Sequence, residues 1–292
     1  MGDPAVAAFL LDKDVKPHTR AAYRSALDAF LARVPAGQAV TPELVRQYRD
    51  ELLASGNYSP LSVASYLSAV RTFFSWAVVH GLAHANPAAE VKAPKAEKKF
   101  RRDVIPAPLA RVVLDAATDT RARLIAELML RAGLRGCEVV RANLGDRQVK
   151  QGRDILNVQG KGRDGKDKFV VLAPQVVAAW DAYLQDRGPV KAADPLFVGA
   201  RGSKAGARLT TRTVRTIVNE LLVAAKVKEK TVTTHSLRHT CAVELLRAGA
   251  SWTDVQGVLR HASVDTTAIY GAYAADEVRL RQPAELLLAN TF

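Results

Sequence analysis

The sequence predicts a mostly α-helical protein with a small β-sheet: a helical N-terminal bundle, then an α+β domain. Three observations carry this expectation. Apolar residues recur at three- and four-residue spacing along most of the chain. That period breaks over 147–172, where Ile155, Val158, Phe169, Val170 and Val171 lie among glycines at 160, 162 and 165, the pattern of a hairpin or small sheet with a Gly-rich turn. At roughly 100–200 residues per domain, 292 residues predict two domains.

Residues 1–93 read as four or five short helices. The opening MGDPAVAAFLLDKD is apolar only briefly and then acidic, unlike a secretory signal. In 19–34, Tyr23, Leu27, Phe30 and Leu31 share one face. Thr41-Pro42-Glu43 is a helix start, with a hydroxyl cap, a proline at the first helical position and an acid in the first turn. Ser59-Pro60 repeats the device, and Leu67, Val70, Phe73, Phe74 and Ala77 form the apolar stripe of the helix that follows. Gly56 and Gly81 close the helices before them.

Residues 94–106 form a basic linker: Lys95, Lys98, Lys99, Arg101 and Arg102 lie between Pro94 and Pro106, with no apolar period. Such a run reads either as a solvated connector or as a strap along a phosphate backbone. Residues 107–292 then form the second domain. Helical spacing resumes at Leu109, stops at Gly133, and returns after Pro174 and after Thr210; no solenoid repeat is visible.

Forty-two Lys and Arg against 29 Asp and Glu give a net charge of +13. The excess is uneven, at +1 over 1–93, +3 over 94–103 and +9 over 104–292. A balance this basic points to a polyanionic partner. Two cysteines, Cys137 and Cys241, make no disulfide framework, and with no apolar run of membrane-spanning length the expected location is cytoplasmic.

Four segments carry chemistry: Gly133-Leu134-Arg135-Gly136, Gly160-Lys161-Gly162, His235-Ser236-Leu237-Arg238-His239, and His261 followed nine residues later by Tyr270. Each alone is weak. Gly160-Lys161-Gly162 lacks P-loop spacing, and His239 alone reads as a satisfied core histidine. In this order they resemble the tyrosine recombinases, also called phage-integrase-like, especially the short Xer-like members. The resemblance runs over nearly the whole chain. It implies a catalytic set of Arg135, Lys161, His235, Arg238, His261 and Tyr270, with no metal and no cofactor.

The chemistry fits those residue types. Two guanidiniums, Arg135 and Arg238, grip non-bridging oxygens of an anionic phosphodiester and stabilise its transition state. A phenol is a poor nucleophile near neutrality and needs a proton acceptor, for which His235 is the candidate. His261 is the candidate donor to phosphate, and Lys161 the acid for the departing 5′-oxygen. The product would be a 3′-phosphotyrosine, with strands exchanged through a Holliday junction.

The sequence departs from the family pattern at four points. Arg260 stands where a glycine commonly precedes the second histidine, Thr234 replaces the usual proline, and Gly136 replaces a large aliphatic. The hairpin is about two residues longer, leaving Lys166 and Lys168 as rivals of Lys161. With the resemblance, the basic stretch Arg201, Lys204, Arg208, Arg212, Arg215 reads as DNA contacts, and Arg20, Arg24, Arg46, Arg49 and Arg71 are the groove candidates of the first domain; Lys98, Lys99, Arg101 and Arg102 supply the linker. Implied partners are double-stranded DNA with inverted-repeat sites and, on two sites, a homotetramer or a heterotetramer with a related recombinase; no membrane is involved. The apolar end after Pro283 reads as an interaction helix. The alternatives are a type IB topoisomerase-like enzyme and a catalytically inactive sequence-specific DNA-binding protein.

Overall fold

Every helix of the N-terminal part begins at a proline. In the computed structural model, which describes residues 3–35, 37–95, 103–160, 165–200, 205–260 and 270, the chain divides into two compact units, 1–98 and 99–292. The first holds α1 (Pro4–Asp12), α2 (Pro17–Leu31), α3 (Pro42–Ala54) and α4 (Pro60–Val79). Proline suits these starts because the first N–H of a helix has no intrahelical acceptor. Three starts are also capped by side chains. Asp3 accepts from the Ala5 N–H at 2.8 Å, Thr41 from Leu44 at 3.3 Å and Ser59 from Ser62 at 3.2 Å.

The stripes read from sequence become one core. Phe9, Leu27, Phe30, Tyr48, Leu52, Leu67, Val70 and Phe73 are buried. Phe9 meets Phe73 edge-on at 5.5 Å, and Phe30 meets Tyr48 at 5.0 Å, the offset geometry aromatic quadrupoles favour. After α4 the chain folds back along it. Arg71 donates to the carbonyls of Ala88 and Val91 at 3.0 and 2.8 Å, and Asn86 donates to the carbonyl of Arg71 at 2.9 Å.

The second unit is built around a buried helix. Its elements are α5 (Ala107–Asp115), α6 (Thr120–Leu130), α7 (Gly136–Arg141), a 3₁₀ turn at Leu144–Asp146, β1 (Arg147–Lys150), β2 (Arg153–Val158) and β3 (Lys168–Val171). They are followed by α8 (Pro174–Arg187), α9 (Thr211–Ala224), α10 (Thr234–Arg247) and α11 (Trp252–Leu259). Leu124, Ile125, Ala126, Leu128, Met129 and Leu130 of α6 are all buried. A helix buried on every side over Leu124–Leu130, Glu127 included, is central, and α6 packs against α5, α8, α9 and α10.

The sheet is antiparallel in the order β1-β2-β3. Arg147 pairs with Leu156, and Leu156 with Val170; Leu156, Val158 and Val170 join the main core. A smaller apolar cluster of Val104, Ala242, Val243, Leu246, Val255, Leu259 and Tyr270 lies around α10 and α11. No helix among the described residues is long and apolar enough to cross a membrane.

Candidate active site

The site begins where α6 ends. Gly133 has φ 60°, and a Cβ there would lie 2.7 Å from Leu259 Cδ2 and 3.3 Å from Cys241 Sγ. Backbone conformation and close approach therefore both require glycine. The turn delivers Arg135 to the start of α7, where Glu138, three residues on, caps it. The Glu138 Oε2 accepts from the Arg135 N–H at 2.8 Å, and Oε1 from Arg135 Nη1 at 2.8 Å. This is the acid half of a capping box.

Glu138 is fully buried and gathers two further guanidiniums. Arg260, at the end of α11, donates to Oε2 at 2.7 Å, and Arg238 Nη1 lies 3.7 Å from the same oxygen. Arg238 is itself buried in α10, donating through Nη1 to the Gly133 carbonyl and through Nη2 to the Leu259 carbonyl. It thus ties the turn before Arg135 to the end of α11. The start of α11 is fixed by a capping box: Ser251 Oγ accepts from the Asp254 N–H at 3.2 Å, and Asp254 accepts from the Ser251 N–H at 2.9 Å.

Three guanidiniums around one carboxylate leave the pocket net positive. Burial pushes the Glu138 carboxyl up, but the Arg260 charge, its hydrogen bond, the Arg135 N–H and the Arg238 charge together hold it below its ordinary value. Burial, then the Arg135 charge, push Arg238 down to about 10 against the pull of Glu138. That is still far above neutrality, so Arg238 remains a cation.

Tyr270 is buried, and its hydroxyl lies 2.8 Å from Nδ1 of His239, with ring centroids 5.4 Å apart. The Tyr270 oxygen also acts electrostatically on Arg238. A phenol, an imidazole and buried guanidiniums thus meet at one place. Cys241 is no rival nucleophile, because burial pushes its thiol up to about 11.

A phage integrase family profile matches residues 104–277, and the profile of the phage integrase N-terminal SAM-like domain matches 7–81. Tyrosine recombinase XerC of Pelobacter propionicus is 32% identical over 281 residues, spanning 91% of this chain and 88% of that protein. The chain belongs to the phage integrase family, the tyrosine recombinases. It is a site-specific recombinase. The crystal structure of XerA recombinase is 26% identical, with TM-score 0.54 over 96% of each chain. A lambda integrase tetramer bound to a Holliday junction shares the fold at 18% identity and TM-score 0.72, covering 91% of this chain and 74% of that one.

Among the expected residues, Arg135 and Arg238 face the same carboxylate, and Tyr270 acts electrostatically on Arg238. His235 is exposed in the first turn of α10, one turn before His239. Lys161 and His261 lie outside the described residues, as do Lys98, Lys99, Arg101, Arg102, Arg201, Lys204 and the segment after Pro283. The root of the Lys161 turn is described: Arg141 donates to the Gly160 carbonyl at 3.2 Å. Of the rival lysines, Lys166 is ion-paired with Asp146, and Lys168 is exposed at the start of β3.

Several arginines expected to face DNA have internal partners. Arg71 is a backbone tether, and Arg208 donates to the carbonyls of Val140 and Ala142 and to Asn143. Arg46 pairs with Glu43 and Arg49 with Asp50, while Arg20 reaches the Lys13 carbonyl at 3.4 Å. Arg24, Arg212 and Arg215 are exposed. Sequence reasoning missed Glu138, Arg260 and His239. The spacing of Glu138 from Arg135 and of His239 from His235 could have flagged both of these local pairs; nothing local flags Arg260.

Proposed function

We propose that this recombinase breaks and rejoins duplex DNA with Tyr270 as nucleophile. The observation that carries the reading is the Tyr270 hydroxyl, 2.8 Å from His239 and beside the buried Arg238. Arg135 and Arg238 bind the non-bridging oxygens of the scissile phosphate and stabilise its transition state. The phenol loses its proton to an α10 imidazole as its oxygen bonds to phosphorus. His239 is the imidazole in contact, and His235, one turn earlier, is the other acceptor on that face. The bond to the 5′-oxygen breaks, and Lys161 supplies that oxygen's proton; His261 donates to the phosphate. The resulting 3′-phosphotyrosine conserves the bond energy, so a second 5′-hydroxyl can attack it and reseal the strand.

The partner is double-stranded DNA carrying inverted-repeat sites, in the cytoplasm. Residues 1–93 and 107–292 both bind the duplex, and the basic linker 94–106 adds to that binding. Four protomers on two sites exchange strands through a Holliday junction, and the segment after Pro283 contacts the neighbour in a closed ring of head-to-tail interfaces. Neither the topoisomerase nor the inactive DNA-binding reading is favoured, because the relatives are recombinases.

The test uses a nicked suicide duplex carrying an inverted-repeat site that the protein itself selects from a random pool. The wild type should form a covalent adduct, peptide mapping should find it on Tyr270, and Tyr270→Phe should bind the duplex without forming it. An adduct on Tyr273, or undiminished cleavage by the variant, contradicts the reading. Lys161→Ala should slow cleavage roughly 10²–10⁴-fold, and a 5′-bridging sulfur, which leaves without a proton, should restore the rate. Rescue of Lys166→Ala or Lys168→Ala instead would move the acid to that lysine.

A further inference from the structure

Three non-glycine residues among those described have positive φ: Gln151, Lys226 and Arg260. The first two are exposed in turns. Arg260 has φ 55° and ψ 43°, and its side chain is 3% exposed. Left-handed backbone and a desolvated guanidinium are both unfavourable, so the arrangement persists only through what the side chain holds. Its Nη2 donates to Glu138 Oε2 at 2.7 Å and to the Gly133 carbonyl at 3.1 Å, and Nη1 donates to the Val258 carbonyl. The first two acceptors are the ones that Arg238 faces.

The sharing is unequal. Glu138 Oε2 receives the Arg135 N–H and Arg260, each within 2.8 Å, while Arg238 Nη1 remains at 3.7 Å. That is beyond hydrogen-bond length. Arg238 instead bonds two uncharged carbonyls, so its charge is left for an anion outside the protein.

We propose that Arg260 is a positioning residue: it occupies the Glu138 carboxylate, and so keeps Arg238 aimed by backbone carbonyls and free to bind the scissile phosphate. Without Arg260, Arg238 closes onto Glu138 and is neutralised internally. The inference rests on the functional reading above. The charged groups facing Glu138 are Arg135 from the turn before α7, Arg238 from α10 and Arg260 after α11; the Tyr270 hydroxyl and Cys241 thiol face these guanidiniums in turn. Arg260 is also the strongest influence opposing the burial that pushes the Glu138 carboxyl up.

The experiment measures single-turnover cleavage of the selected suicide duplex, duplex affinity and melting temperature for full-length wild type, Arg260→Gly, Arg260→Lys, Glu138→Gln and the Arg260→Gly/Glu138→Gln double variant. Glycine suits the backbone at 260, so Arg260→Gly should stay folded and bind the duplex within about threefold, while cleavage falls roughly 10²-fold, the usual cost of a catalytic group moved by about 1 Å. Its acid limb should flatten, because protonating Glu138 then costs no more than the Gln substitution does in the double variant. Arg260→Lys, which keeps the charge without the fork, should fall between. Once Glu138 is Gln, removing Arg260 should cost less than about threefold more. Cleavage by Arg260→Gly within threefold of wild type with an unchanged acid limb, or a double variant showing the full product of both losses, overturns the inference. Should Arg260→Gly unfold, Arg260→Lys decides alone: wild-type rate and pH profile overturn it. A wild type that forms no adduct overturns the functional reading itself and this inference with it.

Discussion

Glu127 and Glu138 are both buried, lie eleven residues apart, and each holds arginines. Glu127 draws both partners from its own neighbourhood on α6: Arg123 at 3.0 Å and Arg131 at 2.6 Å, each one turn away. Those arginines are 37% and 40% exposed, so water still solvates their charge. Glu138 draws Arg135, Arg238 and Arg260 from three segments, and the last two are almost wholly buried. The first arrangement is a helix staple that forms with its helix. The second exists only once the turn at Gly133, α10 and the end of α11 have docked. It also carries more positive than negative charge away from water, which stability alone does not favour. The excess is complementary to a phosphodiester, so the difference between the two glutamates is the difference between holding a helix and holding a substrate.

Removing one arginine from each cluster should break the symmetry most strongly. Arg238→Ala should lower stability by about 2–5 kcal/mol, since it removes the donor to the buried Gly133 and Leu259 carbonyls and leaves a cavity. Arg131→Ala should cost about 1 kcal/mol, because Glu127 keeps Arg123 and the lost partner was half in water. Urea unfolding of both variants measures this. Similar losses would mean that the Glu138 cluster is only another staple.

A smaller effect should appear with acid. The Glu138 carboxyl lies below its ordinary 4.5 in the folded protein. Its charge therefore contributes stability that is complete above the unfolded value and lost as pH falls through the depressed folded value. Melting temperatures of wild type and Glu138→Gln should differ near neutrality and converge in strong acid. A gap that stays constant with pH would show that the carboxylate charge is not what binds the cluster.

The same contrast explains how much was legible in sequence. Cap chemistry acts over three residues, so Thr41-Pro42, Ser59-Pro60 and the Ser251–Asp254 pair mark their helices directly. The apolar stripes of α2 and α4 foretell the first core, and the glycine-studded stretch the sheet. Arg135, Arg238 and Tyr270 stand out by type and order; Arg135 and Arg238 face Glu138, and Tyr270 lies against His239. What could not be read depends on contacts made far along the chain. Arg260 reaches Glu138 and Gly133 across more than a hundred residues, and no local pattern tells an inward arginine from a solvated one. His239 reads as a core histidine until Tyr270 is brought against it. The carbonyl partners of Arg71 and Arg208 are likewise visible only in the fold.

The most direct measurement compares single-turnover cleavage of the selected suicide duplex by Glu138→Gln and by Glu127→Gln, at a temperature where both are folded. Glutamine keeps the shape and removes the charge at each position. Glu138→Gln should cleave roughly 10²-fold more slowly than wild type, since the guanidiniums lose their common anchor. Glu127→Gln should cleave within about threefold of wild type. Equal losses in the two variants, or an unaffected Glu138→Gln, would contradict the claim that Glu138 organises the site.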